Sequence, residues 1–320
     1  MATVSGYLAH LPDVRMRAQA SFLGLAVGDA LGATVEFMTA GEIKAQYGVH
    51  RKLIGGGWLR LRPGQVTDDT QMSMCIARSL AGAGYSPEDI ARHFVTWYQS
   101  KPPDVGNTCR RGIARFINHG TVHGLPNDGD AGNGAAMRMA PVAVAALADA
   151  RLLEDITVGQ AHITHHHALS DAASLLVGRL IQLALIGHAM DRLRRQADDT
   201  VAKFPTFRYS PYHGLSSAYV VDTMQTVLHF LFSTCSFEEC VVATVNQGGD
   251  ADTTGAIAGA IAGAYYGLEA IPREWLRKLD PGVRADLTML ADQLVDRSPL
   301  AKGQPITVFP PSKGEGGAVG

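Results

Sequence analysis

Cysteine is scarce here: Cys75, Cys109, Cys235 and Cys240 are the only four in 320 residues, and no two form a Cys-x-x-Cys pair. That usage fits reduced thiols in a cytoplasmic protein. Excess charge of one sign is also missing. A formal net charge of −2 argues against electrostatic binding to nucleic acid or to an anionic membrane. The N-terminus has no basic stretch followed by an apolar one, so no secretory signal is expected. The interior lacks a Pro/Ser-rich linker or low-complexity block, which favours one domain over residues 1–300 with a flexible tail over 301–320. No segment longer than a few residues alternates as a strand does, so an all-α chain with long loops is expected.

What the chain does have is 46% hydrophobic against 18% charged residues, the balance of an ordinary globular protein with a large core. Residues 245–267, VNQGGDADTTGAIAGAIAGAYYG, organise the rest. Asp250 and Asp252 precede Thr253 and Thr254, and Gly255, Gly259, Gly263 and Gly267 then recur four apart. Residues four apart share one helix face, so these glycines form a smooth stripe that another helix can approach closely. From Thr254 the run is free of charge only as far as Glu269, shorter than the ~20 apolar residues of a spanning helix, so a core helix is expected. Residues 21–37 repeat the spacing with Gly24, Gly28 and Gly32, and Asp29 and Glu36 interrupt that segment. Acids inside an apolar helix either find hydrogen-bond partners or face a polar cavity, because desolvating a charge is costly.

A second acidic cluster, Thr67-Asp68-Asp69-Thr70, opens the helical pattern of Met72, Cys75, Ile76 and Leu80. One acid at a helix start is explained by capping and by the helix dipole. Two clusters of the same form, each after a glycine-containing loop, fit one oxygen-rich cavity for hard cations, with adjacent Asp68 and Asp69 able to face two ions.

Ser86-Pro87-Glu88-Asp89 reads as a capped helix start whose helix ends before Pro102-Pro103. Asp104 then leads through a Gly106-Asn107 turn into CRRGIARFINHG. The loop 129–134, GDAGNG, precedes a helix over AAMRMAPVAVAALADA, with Pro141 kinking it or sitting in its first turn. Both Gly-Asn turns offer backbone amides at a helix start, a setting suited to phosphate. His162, His165, His166 and His167 suggest a metal site, but imidazole suits softer ions than the carboxylate clusters do. One of them contacting a ligand is the better reading, with Ser170-Asp171 capping the helix that follows. An aromatic loop over 204–212, a helix over 217–232, a Ser236–Glu239 capping box and closing helices over 272–279 and 280–297 complete the chain.

GLAVGDALGATVEF, PGQVTDDTQMS, DVGNTCRRGI, AGNGAAMR, ITHHHALSD and VNQGGDADTTGAIAGA occur together and in this order. That set resembles the ADP-ribosylglycohydrolase family over roughly residues 20–295, and within it the branch acting on dinitrogenase reductase. The resemblance implies a compact orthogonal multi-helix bundle with a binuclear centre of Mn2+ or Mg2+ at helix N-termini. It implies hydrolysis of ADP-ribose from an arginine of ADP-ribosylated dinitrogenase reductase, the nitrogenase iron protein, which reactivates it. It further implies a PII-type nitrogen-signalling partner and, through that partner, reversible membrane association at an ammonium channel. Carried over by position, the metal ligands are Thr67, Asp68, Asp69, Asp250, Asp252 and Thr253. Glu36, Asp69 and Asp104 are the catalytic candidates; Asn107, Asn133, Gly134, His165 and Tyr212 are the candidates for ADP-ribose contact. The triple histidine 165–167 departs slightly from the family pattern and leaves His165 in place.

Cleavage of the bond between the sugar and a guanidinium requires stabilising an oxocarbenium-like ribose and supplying water, chemistry suited to divalent ions with carboxylates nearby. Two other readings stand beside it. A binding-only relative would show gaps among the metal ligands, and none is missing. A metal-dependent phosphohydrolase would attack the pyrophosphate of ADP-ribose and release AMP.

Overall fold

Glycine spacing decides how the two central helices meet. In the computed structural model, which describes residues 11–305, an added Cβ on Gly28 would lie 2.0 Å from the carbonyl oxygen of Gly255. One on Gly24 would lie 2.2 Å from that of Gly259, and one on Gly263 2.2 Å from that of Ala20. Only hydrogen fits at such positions, so the two backbones are in direct contact. The hydroxyl of Ser21 crosses the same seam to donate to Ala260 O at 2.9 Å.

Around this pair the described residues form fourteen α-helices. The first five are α1 Leu11–Gly32, α2 Ala40–Tyr47, α3 Asp68–Gly82, α4 Pro87–Gln99 and α5 Asn107–His119. There follow α6 Ala140–Ala145, α7 Ala150–Ala161, α8 Ala168–Leu185, α9 Met190–Lys203 and α10 Val220–Ser233. The chain closes with α11 Phe237–Val245, α12 Ala251–Tyr266, α13 Arg273–Lys278 and α14 Pro281–Arg297. No strand occurs among the described residues, only isolated bridges such as Thr39 with Gly248. The fold is all-α, as expected. One hydrophobic cluster runs from Val14 to Leu300, with α1 and α12 at its centre and α3, α8, α10, α11 and α14 packed about them. α8 is long and apolar enough to cross a membrane by length and composition, yet 67% of it is buried inside the bundle.

Local chemistry explains where the helices differ from the sequence reading. α1 stops at Gly32 and not at Phe37, because Phe37 turns into the left-handed region (φ 64°) and donates its N–H to Gly249 O at 2.7 Å. The helix expected from residue 135 begins only at Ala140: Pro141 has no N–H to return to Met137, so residues 134–138 close as turns on Asn133 O. α8 begins before Ser170, since His167 Nδ1 accepts the N–H of Leu169 and takes the cap. Ser236 caps α11 as expected, with Glu239 reaching back to Cys235 N. Of the expected flexible tail, Lys302, Gly303 and Gln304 are hydrogen-bonded in a turn on residues 298–300. Residues 306–320 lie outside the described region.

Candidate active site

Asp29 explains why the acids at two helix starts are free for other work. It is fully buried on α1 and accepts from Thr67 N at 3.0 Å, Thr67 Oγ1 at 2.9 Å, Thr70 N at 3.2 Å and Thr70 Oγ1 at 2.5 Å. These bonds satisfy orphan amides in the first turn of α3 from outside the helix. Burial pushes the Asp29 carboxyl up to about 6, against the pull of those same hydrogen bonds. Thr67 makes no capping bond with its own side chain, and neither does Asp250 at the start of α12. Capping alone therefore accounts for neither cluster.

The two clusters converge. Thr253 Oγ1 donates to Asp69 Oδ2 at 3.4 Å, and the start of α5 joins them where Gly106 N donates to Asp68 Oδ2 at 3.3 Å. Three helix N-termini thus meet at one place, and their dipoles favour negative charge there. Carboxylate oxygens of Glu36, Asp104 and Asp252 lie within 4.8 Å of one another. Asp104 Oδ1 accepts the N–H of Val105 at 2.7 Å and does not cap α5, whose N-cap is Gly106. Asp250 Oδ2 accepts from the side-chain amide of Asn133 at 2.6 Å, which also donates to Thr223 Oγ1.

These acids face a cavity of about 450 Å³ lined by Glu36, Asp68, Asp104, Asp250, Asp252 and Thr253. Asn107, Asn133, Gly134 and His165 line the same cavity. A larger opening of about 920 Å³, between α2 and the α10–α11 connection, lies away from the acid cluster. Asp69 sits behind the cavity wall, and Thr67 is turned toward Asp29. Tyr212 does not line the cavity: its hydroxyl pairs with Thr226 Oγ1 at 2.9 Å and its ring stacks on His229. Within the histidine group, His162 Nε2 bonds Asp171 Oδ2 at 3.0 Å and His166 Nδ1 bonds Gly124 O at 2.6 Å; His165 alone lines the cavity.

So much buried negative charge is not stable without compensation. Burial, with Asp104 as the next cause, raises Asp68 to about 7. Burial raises Glu36 to about 8, with Asp250, Asp104 and Asp68 adding to the shift. Asp69 and Asp252 stand well above the usual carboxylate range for the same reasons, burial first and neighbouring acids second. Such a group must hold protons or cations at neutral pH. Cations fit the donors: all are hard oxygens, and buried Asp69 Oδ1 has no hydrogen-bond partner among the described residues.

The family model for ADP-ribosylglycohydrolase matches residues 10–303. The chain belongs to the ADP-ribosylglycohydrolase family. It is 55% identical over 285 residues to the ADP-ribosyl-[dinitrogen reductase] glycohydrolase of Rhodospirillum rubrum, covering 89% of this chain and 97% of that one. It is 30% identical to the ADP-ribosylarginine hydrolase Tri1 of Serratia proteamaculans, over 88% of this chain and 80% of the relative. A solved structure, an ADP-ribosylglycohydrolase-related protein complex, superposes with a TM-score of 0.78 at 34% identity, covering 89% of this chain and 99% of that one.

The family motifs do not single out every residue at this site. Trp58 Nε1 donates to Glu36 Oε2 at 2.5 Å, and the half-exposed Trp58 ring lies 5.4 Å from that of Phe37 at the rim. The loop 55–64 reads only as glycine- and proline-rich, and nothing in its sequence marks the tryptophan as part of the cavity. The clamp made by Asp29 was open to inference as an acid needing partners. Which partners it finds depends on the tertiary fold.

Proposed function

We propose that the chain hydrolyses the N-glycosidic bond between ADP-ribose and an arginine of dinitrogenase reductase, returning the unmodified protein. The supporting observation is that a chain so similar to a dinitrogenase reductase glycohydrolase brings both of its acid-threonine clusters to one cavity. Two divalent cations, Mn2+ or Mg2+, would be held by Asp68, Asp69, Asp250, Asp252 and Thr253, with Glu36 beside them. Thr67 serves that set indirectly, through its bonds to Asp29 and Asp69. When bound, such cations place positive charge beside the sugar and lower the pKa of a coordinated water.

The chain's own residues do the rest. Asp104, at the cavity mouth, meets the guanidinium by a charge-assisted pair or takes a proton from water. The Gly106-Asn107 and 132–134 turns present backbone to the phosphates, and His165 presents its ring edge to the same ligand. Asn133 acts through Asp250, holding that carboxylate in place. The reading includes a PII-type partner that brings the enzyme reversibly to the membrane; co-sedimentation with membranes, with and without that partner, tests it. The test of the activity is release of ADP-ribose from arginine-modified dinitrogenase reductase, with serine-linked ADP-ribose as the comparison. Equal rates from both linkages would contradict arginine specificity.

A further inference from the structure

Arg138 is fully buried, and the groups that hold it are neutral. Its Nε donates to Gln160 Oε1 at 2.6 Å, and its Nη2 donates to Gln160 O at 2.9 Å and to Thr164 Oγ1 at 2.8 Å. The guanidinium also lies 4.6 Å over the Phe94 ring. Burying a guanidinium this deeply is costly. Its bond to Thr164 leads directly to the cavity, because Thr164 Oγ1 is 2.8 Å from His165 Nδ1. The opposite edge of that imidazole faces the ligand turn: an added Cβ on Gly132 would lie 3.0 Å from His165 Nε2, and one on Gly134 would lie 2.6 Å from Cε1.

A guanidinium only donates, so one lone pair of Thr164 Oγ1 is always taken by Arg138. The polarised hydroxyl is then a better donor and a poorer acceptor toward Nδ1. The cation behind it also disfavours a proton on Nδ1. Both effects have the same sign. We infer that Arg138, acting through Thr164, is a positioning residue that fixes His165 as the neutral Nε2–H tautomer. His165 is thereby a permanent hydrogen-bond donor toward phosphate or ribose oxygens in the cavity. Burial and the nearby charges of Arg138 and Arg111 also hold His165 well below the usual imidazole range, so it stays neutral. The inference rests on the functional reading above for the identity of the ligand, but not for the tautomer.

The experiment uses the full chain loaded with Mg2+ and labelled with 15N in its imidazoles, His165 being assigned by comparison with His165→Asn. The expected wild-type spectrum shows Nε2 protonated and Nδ1 bare. Thr164→Val, which keeps the shape and removes the hydroxyl, is expected to lose that preference. It should raise KM for the arginine-linked substrate roughly tenfold while kcat changes much less, the size of one lost hydrogen bond to a charged group. Thr164→Ser should restore both. Arg138→Met, where it folds, should shift the tautomer in the same direction; if it does not fold, the Thr164 pair decides. A wild-type signal with Nδ1 protonated, or Thr164→Val with unchanged tautomer and KM, overturns the inference. A wild type with Nε2 protonated that releases no ADP-ribose would instead contradict the functional reading and leave the tautomer assignment standing.

Discussion

Thr253 Oγ1 and Asp69 Oδ2 are 3.4 Å apart in space and 184 residues apart in sequence. This contact joins the start of α12 to that of α3 and makes two ordinary-looking helix termini into one acid-lined wall. Without metal, that wall is a liability, since its carboxylates repel one another in a medium that solvates them poorly.

Asp252→Asn removes one of the repelling charges. The variant is expected to bind Mn2+ or Mg2+ much more weakly and lose most turnover, yet to melt at a higher temperature than wild type when both are metal-free. Metal analysis and calorimetry on chelator-treated protein check this. Normal turnover would show that Asp252 is not a ligand.

The same repulsion sets the pH dependence of the metal-free protein. Folded Asp29, Asp68 and Glu36 are raised to about 6, 7 and 8, from ordinary values of 3.8, 3.8 and 4.5. The folded state therefore holds protons that the unfolded chain has released. Their stabilising share is complete below about pH 4 and is lost as pH rises through 6 to 8. Between pH 5.5 and 8 the melting temperature should fall by roughly 5–10 °C. Saturating Mg2+ should remove most of that slope; a flat profile without metal would contradict the assignment.

Asp104→Ala should lose most arginine-linked activity while binding free ADP-ribose with similar affinity. The fold supports a clean test, because Asp104 does not cap α5. A drop in melting temperature with turnover preserved would return Asp104 to a structural role.

Gly28→Ala and Gly255→Ala place a methyl against a facing backbone, at 2.0 and 2.6 Å from a carbonyl oxygen. Each should cost about 3 kcal/mol, the upper part of the range for overpacking. Gly82→Ala, with nothing within 4 Å of the added carbon, is the control and should be neutral. Equal melting temperatures for all three would mean that α1 and α12 are not in backbone contact.

Much of this arrangement was readable from the chain. The four-residue glycine spacing on 21–37 and 245–267 marks two helices that each allow close approach, though not that they approach one another, and the two acid-threonine clusters suggest a shared site. Period and composition carry such information because they act locally on a helix face. Other features do not act locally. Whether Asp29 faces a cavity or clamps Thr67 and Thr70 is decided by a segment 38 residues away. The position of Tyr212 behind His229, outside the cavity, likewise depends on how its loop packs on α10. The start of α6 is half legible: Pro141 marks either a kink or a first turn, and nothing local shows that the preceding residues close on Asn133.

The most direct test of the central claim is the identity of the small-molecule product. Arginine-ADP-ribosylated dinitrogenase reductase is incubated with the enzyme, with and without excess chelator, and the released nucleotide is identified by mass spectrometry. Intact ADP-ribose, formed only without chelator and matched by loss of the modification from the protein, is the predicted result. AMP with ribose phosphate left on the arginine, or full release in chelator, would contradict it.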